Sequence, residues 1–387
     1  MNILILGATG FIGNSVFHKL VSIHNITLAS RQRLESYGNW KFVDFSKEND
    51  WEYVLKDIDL VINAIGIIEG DFERIQTKTP LSLFSTCVKK HIKIINISAI
   101  GAEKDVPPTE FLKSKKIVDD FLLKQEQTIV IYPGIVIGQN GKSTQFFTEL
   151  AHLPIIPVLK CSLPSIHIEQ LTTLLQDTVE NFNNYPKQVF ALSEPESLED
   201  LLSAIKGHKG LFIPISNFLL TFLFRIFPKI SIGIFNREML KMIQTISTHD
   251  YKPMFEKTSS KINPNDLKAG TTFLDLFALL TVIYVWVWSG ISSLISWEQS
   301  YSLMKEIGAN YNTSVIFILL GSFVDIVLGF ATFSKKYRSF ILVFQLLFVG
   351  IYTLILSFLA PRYWIHPFGV LSKNIPLIVI TLYMLKK

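Results

Sequence analysis

Cysteine is almost missing from this 387-residue chain: Cys87 and Cys161 are the only two, and they lie far apart. That excludes a disulfide scaffold, and neither has the paired spacing of a zinc site, so no metal is expected. Cys87 reads as a buried helix residue. Charge is also scarce, at 18% Asp, Glu, Lys and Arg, and its scarcity is local. Residues 1–270 carry 29 Lys/Arg and 28 Asp/Glu, whereas residues 271–387 carry only 8 and 4. Most of the +5 net charge therefore lies in an apolar tail. A nucleic-acid binder would cluster its basic residues on a polar face, so no nucleic-acid partner is expected. The pattern suits a membrane protein with positive loop ends. The first strand begins at Asn2, which leaves no room for a signal peptide and implies a cytosolic start. The length leaves room for two or three domains.

What the chain has instead is a glycine-rich turn. Asn2–Leu6 is a run of mostly branched apolar residues that reads as a buried parallel strand. Gly7-Ala-Thr9-Gly10-Phe11-Ile12-Gly13 follows directly. Glycines at a spacing of three let the backbone turn sharply and approach a pyrophosphate. The apolar run after them opens a helix, ending near Ser22, whose N-terminal amides face that phosphate. Dinucleotide binding through Gly7, Thr9, Gly10, Phe11, Ile12 and Gly13 is therefore expected.

Further strands are expected at 25–29, 40–43, 60–63, 93–97 and 128–131, with helices over about 80–90 and 111–123. This alternation implies right-handed crossovers and a Rossmann-type α/β fold with a doubly wound parallel sheet. The strand ends carry the other cofactor candidates. Arg31 stands past the second strand, where an acid would accept a ribose 2′-hydroxyl. Arginine suits a 2′-phosphate, so NADP is favoured, with NAD the alternative. Asp44 and Phe45 end the third strand, where an adenine would lie. Ala64 and Gly66 form a small-residue loop after the fourth, and Pro133 closes the sixth.

The motifs recur together: GATGFIG, the D-F after strand three, the N-A-I-G after strand four and the I-S-A-I-G-A after strand five. F-L-K-S-K opens the next helix, and Y-P-G-I-V-I-G follows strand six. In these features residues 1–205 resemble the extended or atypical short-chain dehydrogenase/reductase superfamily, in its epimerase-like and NmrA-like branch. The resemblance implies an NAD(P) cofactor and a Ser-Tyr-Lys set. The Tyr exchanges a proton with the substrate oxygen, the Lys lowers the Tyr pKa and holds the ribose, and the Ser positions the substrate. Ser98 and Lys115 match the Ser and the Lys. The Tyr position, thirteen after Ser98 and four before Lys115, holds Phe111. A phenyl ring has no proton to give. Tyr132 sits at a strand end where relatives carry Arg, and Thr109 and Glu110 could serve only with a rearranged helix start. Cofactor binding, including a contact from Lys115, is thus expected, while catalysis would rest on Ser98 and Lys115 alone.

The domain boundaries expected are 1–160 for nucleotide binding, 161–250 for a substrate-side subdomain, 251–270 for a lysine-rich linker and 271–387 for the membrane. His167 reads as structural, since no titratable partner is visible. Residues 211–235 are apolar but interrupted by Pro214, Arg225, Pro228 and Lys229, which suits a buried or interfacial helix pair, with peripheral membrane contact as an alternative. Spans are expected at 276–295, 314–334 and 339–360, with a weaker fourth at 367–385 containing Lys373 and Asn374. With four spans, Lys335, Lys336, Arg338, Lys386 and Lys387 share the side of the nucleotide domain, and Lys305 and Arg362 lie opposite. That predicts a multi-pass protein of the inner cell membrane with its nucleotide domain in the cytoplasm.

The tail carries Trp286-Val-Trp288-Ser-Gly290, Ile307-Gly308, Asp325, Gly329, His366-Pro-Phe-Gly369 and Lys373-Asn374-Ile-Pro376. In these it resembles the DoxX-like family of four-helix membrane domains. Asp325 should face the bundle and pair, with Lys373 the best partner. Asp325 reads either as a proton or quinone site or as a structural ion pair or a protonated acid. Two functions compete. One is a membrane-anchored reductase delivering hydride to a lipophilic acceptor such as a quinone. The other is a non-catalytic NADP(H)-binding redox sensor or assembly factor. A nucleotide-sugar isomerase fits worst, because its chemistry leans on the missing Tyr.

Overall fold

The computed structural model describes residues 1–32, 39–226, 235–246, 251–365 and 371–386. Pro228, Lys229, the stretch from His366 to Gly369 and Lys387 lie outside them. The chain divides into two compact units, Met1–Gly270 and Thr271–Lys387.

The first unit alternates strands and helices as the sequence implies. Its early elements are β1 (Asn2–Leu6), α1 (Phe11–Leu20), β2 (Asn25–Ser30), β3 (Trp40–Phe42) and α2 (Trp51–Val54). Next come β4 (Leu60–Asn63), α3 (Thr79–Lys89), β5 (Lys93–Ile97), α4 (Glu110–Leu122) and β6 (Thr128–Pro133). Beyond these lie β7 (Ile135–Ile137), α5 (Lys142–Ala151), β8 (Ile156–Leu159), β9 (Ser162–Leu163), β10 (Ser165–His167) and α6 (Ile168–Glu180). The unit ends with β11 (Gln188–Ala191), β12 (Glu196–Ser197), α7 (Leu198–Lys206), β13 (Phe212–Ile215), α8 (Asn217–Ile226) and α9 (Arg237–Ile246). Seven strands form one sheet in the order β11-β6-β5-β4-β1-β2-β3, and every pairing in it is parallel. Small pairs flank it: β7 with β10, β8 with β13, and antiparallel β9 with β12.

A central strand in such a sheet is apolar on both faces because helices cover both. In β1, Ile3 and Ile5 face the layer of α1 and α6, while Leu4 and Leu6 face α3 and α4. Cys87 belongs to the second layer, and burial pushes its thiol up to about 12, so it is an inert core group. Local chemistry starts the helices where they are needed. Thr109 accepts from the Leu112 amide to open α4, and His167 caps α6 in a reciprocal box with Gln170. That is the structural role expected for His167.

The second unit contains α10 (Thr272–Ile295), α11 (Trp297–Glu306), α12 (Tyr311–Ala331), α13 (Arg338–Leu359) and α14 (Asn374–Leu385). Among the described residues three helices, of 24, 21 and 22 residues, are long and apolar enough to cross a membrane. The expectation of four spans needs correction here. α14 has 12 residues, about 18 Å of helix against a hydrocarbon layer of about 30 Å. The four helices nevertheless close a ring, α10–α12–α13–α14, with side-chain hydrogen bonds at each of its interfaces. Ser289 donates to Asp325 (2.8 Å), Gln345 to Thr332 (2.9 Å), Asn374 to Thr353 (2.8 Å) and Tyr383 to Asp275 (2.6 Å). The last of these returns the end of α14 to the first turn of α10. Asp325 therefore takes Ser289 as its partner, and among the described residues no ion pair joins it to Lys373. At the α10–α12 contact a Cβ on Gly290 would lie 2.5 Å from the Ser322 carbonyl oxygen, and one on Gly329 2.6 Å from Val287. Small residues thus let these two backbones meet.

Candidate dinucleotide-binding site

The site is built at the carboxyl ends of β1, β4 and β5. Gly7 sits at φ +77°, a backbone region that side chains disfavour, and its carbonyl accepts from the Gly10 amide at 2.9 Å. A Cβ on Gly13 would fall 2.3 Å from the Gly7 oxygen, so only glycine lets α1 start this close to the strand. Gly10 precedes α1 without a side-chain cap, which leaves the first-turn amides to face a ligand. Thr9 and Gly10 are exposed at the rim, Ile12 packs on the core, and the Phe11 ring lies against Gly138 and Gly141.

At the β2 and β3 ends, Arg31 is exposed. Asp44 is buried and accepts from the Ser46 amide (3.0 Å) and hydroxyl (2.7 Å). Those bonds hold its carboxyl below the usual range, with Arg31 and Lys47 adding to the effect. Asp44 thus organises its own turn, while the Phe45 ring goes into the core, edge-on to Trp51.

After β4, Ala64 is half-buried and Gly66 is exposed, and a Cβ on Gly66 would stand 3.7 Å from Lys115 Nζ. Lys115 itself is 6% exposed, its ammonium donating to the carbonyls of Ile97 (3.0 Å) and Ile65 (3.3 Å). Burial pushes its pKa down to about 8, against the pull of Asp119 one helical turn on. Ser98 donates to Asp119 Oδ2 at 2.5 Å, Asn96 donates to Oδ1 at 3.0 Å, and Asn63 donates to Asn96 at 2.8 Å. Asp119 is 1% exposed, and burial raises its pKa to about 7 despite those hydrogen bonds and Lys115. Pro133 is buried at the end of β6, its carbonyl bonded to the Ile100 amide.

Ser98, Lys115, Ala64 and Gly66 are therefore brought together, and Gly7 to Gly13 lie beside them along the same sheet edge through the β1–β4 pairing. Two residues of the cluster escaped the sequence reading. Gln76 lies in a π-helical stretch, Glu73–Lys78, accepting from the Ile67 amide at 2.8 Å and donating to Ser114 at 2.9 Å. Nothing in its neighbourhood marks it. Asp119 did have a readable signal: it shares the buried face of α4 with Leu112, Lys115, Val118 and Leu122, so two charges lie on an apolar stripe. Phe111, where the resemblance leads one to expect a proton-donating Tyr, is half-buried, and its ring meets Phe72 edge-on at 6.3 Å. Tyr132 is fully buried and stacked on Phe190, with burial pushing its phenol pKa up, so it supplies no replacement.

This geometry defines a Rossmann-type dinucleotide-binding fold, in which a glycine turn and an open sheet edge form the cradle. Residues 3–118 match the NAD dependent epimerase/dehydratase family, and residues 283–382 match the DoxX-like family. The chain thus joins an N-terminal domain of the epimerase and short-chain dehydrogenase/reductase type to a C-terminal DoxX-like domain. Among proteins of known name, it is 28% identical over 163 residues to "Protein FMP52, mitochondrial" of Meyerozyma guilliermondii, covering 38% of this chain and 70% of that protein. Among solved structures, it resembles a nucleoside-diphosphate-sugar epimerase from Staphylococcus aureus, with TM-score 0.51 and 17% identity over 71% of this chain and 99% of that one. A hypothetical dTDP-4-dehydrorhamnose reductase from Sulfolobus tokodaii gives TM-score 0.51 and 14% identity over 70% and 100%. At these identities the structural likeness is one of fold.

Proposed function

We propose that the protein is a membrane-anchored NADP-binding reductase that delivers hydride to a lipophilic acceptor such as a quinone. The observation that carries this reading is the contrast across one sheet edge. The glycine turn is tight and the Lys115 ammonium is buried beside it, while Phe111 stands where a proton-donating Tyr is expected. When bound, a reduced nicotinamide supplies a hydride. Gly7, Thr9, Gly10, Phe11, Ile12 and Gly13 would hold the pyrophosphate on the α1 amides. Lys115 would hold the ribose beside Ala64 and Gly66, and Arg31 would meet a 2′-phosphate. Asp44, Phe45 and Pro133 would close the walls through their backbone. A carbonyl becoming an alkoxide needs a proton at once, which Phe111 cannot give. A quinone becomes a stabilised aryloxide that takes its proton later from water, so it suits a site without the phenol. Ser98 would orient the acceptor oxygen by turning its hydroxyl proton from Asp119 to it.

A location in the inner cell membrane, with the nucleotide unit cytoplasmic, is supported by Lys335 and Lys336 between α12 and α13 and by Arg338 at the start of α13. The return of α14 to the first turn of α10 adds Lys386 to that side.

A second reading is favoured by the Ser98 hydroxyl being bound to Asp119: a sensor or assembly factor that binds nucleotide without turnover. Titrating the detergent-purified full chain with NADPH, NADP, NADH and NAD, then adding a short-chain quinone, separates the two. NADPH preference followed by oxidation supports the reductase, and redox-selective binding without oxidation supports the sensor. No binding of any of the four sinks both. Arg31→Asp should weaken NADPH relative to NADH by about tenfold, or ~1.4 kcal/mol.

A further inference from the structure

We propose that α8 is a membrane-docking element that presses the nucleotide unit onto the lipid surface, in addition to the anchor provided by the spanning helices. Of its ten residues only Phe224 is buried. Phe218 is 80% exposed, and Leu219, Phe222, Leu223 and Ile226 are exposed as well. Phe218 and Phe222, one turn apart, stack at 6.4 Å. Leu211 and Ile213, in the chain leading into α8, are also exposed. Of this segment, expected as a buried or interfacial pair, the described residues 211–226 are mostly exposed. It is held in place nonetheless: Phe224 meets Phe235 at 5.8 Å, and Phe235 stacks on Phe146 of α5 at 6.1 Å.

Charge identifies the occupant. From residue 201 to 237 the chain has no Asp or Glu, while Lys206, Lys209, Arg225, Lys229 and Arg237 fall within that stretch. An aromatic and aliphatic helix flanked by cations alone suits the boundary of an anionic bilayer. A bilayer is also constantly at hand, because membrane-length helices begin at Thr272 of the same chain. A second copy of the chain fits less well, since a twofold contact through α8 would set Arg225 and its neighbours against their like.

The test uses the full chain in nanodiscs, with Cys161→Ser and the buried Cys87 retained. An environment-sensitive fluorophore is attached at Phe218→Cys or, as a control, at the exposed Tyr53→Cys. The Phe218 probe should emit to the blue, lose at least half its intensity with brominated-chain phosphatidylglycerol and resist iodide. The Tyr53 probe should respond to iodide alone. Phe222→Asp, a change at an exposed position, should move the Phe218 probe back into water while dinucleotide binding persists. Iodide quenching at Phe218 with no effect of brominated lipid overturns the proposal. So does a blue shift that survives in detergent and grows with protein concentration, which would mean self-association.

Discussion

In Met1–Gly270 the interior is apolar on both sides of a sheet, and the polar chain Asn63–Asn96–Asp119–Ser98 runs through one place in it. In Thr271–Lys387 the large apolar residues point outward: Phe323, Phe340, Phe358 and Ile365 are all exposed. There hydrogen bonds join each neighbouring pair in the ring α10–α12–α13–α14 instead. Each follows from its solvent. Water rewards burial of hydrocarbon, so the first unit spends its inward positions on Ile, Leu and Val. Lipid gives no such drive between helices, so the second coheres through close backbones and polar contacts. The buried polar groups therefore differ in meaning. In the tail they join helices, whereas in the first unit they form one connected chain inside an apolar core.

Substitutions sharpen this contrast, and the largest effect belongs to the glycine turn. Gly13→Val puts side-chain atoms where the Gly7 carbonyl already stands, 2.3 Å from the Cβ. The backbone must move, at a cost of about 3 kcal/mol or more, and NADPH binding measured by fluorescence titration should vanish. Gly329→Val comes next. Its Cβ would sit 2.6 Å from Val287, forcing α10 and α12 apart. The expected loss is about 2–3 kcal/mol, read as earlier thermal unfolding in detergent. A tail indifferent to both Gly290→Val and Gly329→Val would contradict close backbone packing as its cohesive principle.

Asp119 distinguishes the two kinds of buried polar group through pH. Burial lifts its folded-state pKa to about 7, whereas an unfolded carboxyl titrates at about 3.9. Between those values the folded chain holds a proton that the unfolded chain has released, so stability falls as pH rises through the window. Lys115 acts oppositely at higher pH. Its pKa is lowered to about 8, so stability recovers as pH climbs toward the unfolded lysine value of about 10.4. Asp119→Asn removes the first slope. Melting temperatures of the wild type should decline relative to the variant between about pH 4 and 7, then level off. Parallel curves would show that Asp119 is ionised throughout.

The sheet was legible because its cues are local. The run Asn2–Leu6, the glycines at 7, 10 and 13 and the strand-end motifs each depend on neighbours in sequence. Side-chain partnerships were not. Lys373 looked like the natural partner of Asp325 by charge, but helix register sets Ser289 against it instead. The apolar stretch 367–385 has spanning size by composition, but its helix begins only at Asn374, after a turn over 371–373, which composition does not show. Asp44 shows the same limit: its acid was readable, but not that Ser46 would satisfy it.

Phe111→Tyr is expected to have the smallest effect on structure and the most to say about chemistry. The ring is half-buried and meets Phe72 by an edge, so an added hydroxyl should change stability by less than about 0.5 kcal/mol. Dinucleotide binding should also hold, because the glycine turn and Lys115 are untouched. If the acceptor is a quinone, its single-turnover reduction should stay within about twofold of wild type, since no general acid is needed. A ketone or aldehyde should instead become reducible only in the variant, as the new phenol would supply the proton that an alkoxide requires. A tenfold or greater gain with the quinone would show that proton transfer limits the native reaction, and Phe111 would then be a brake on turnover, not an accommodation to the acceptor.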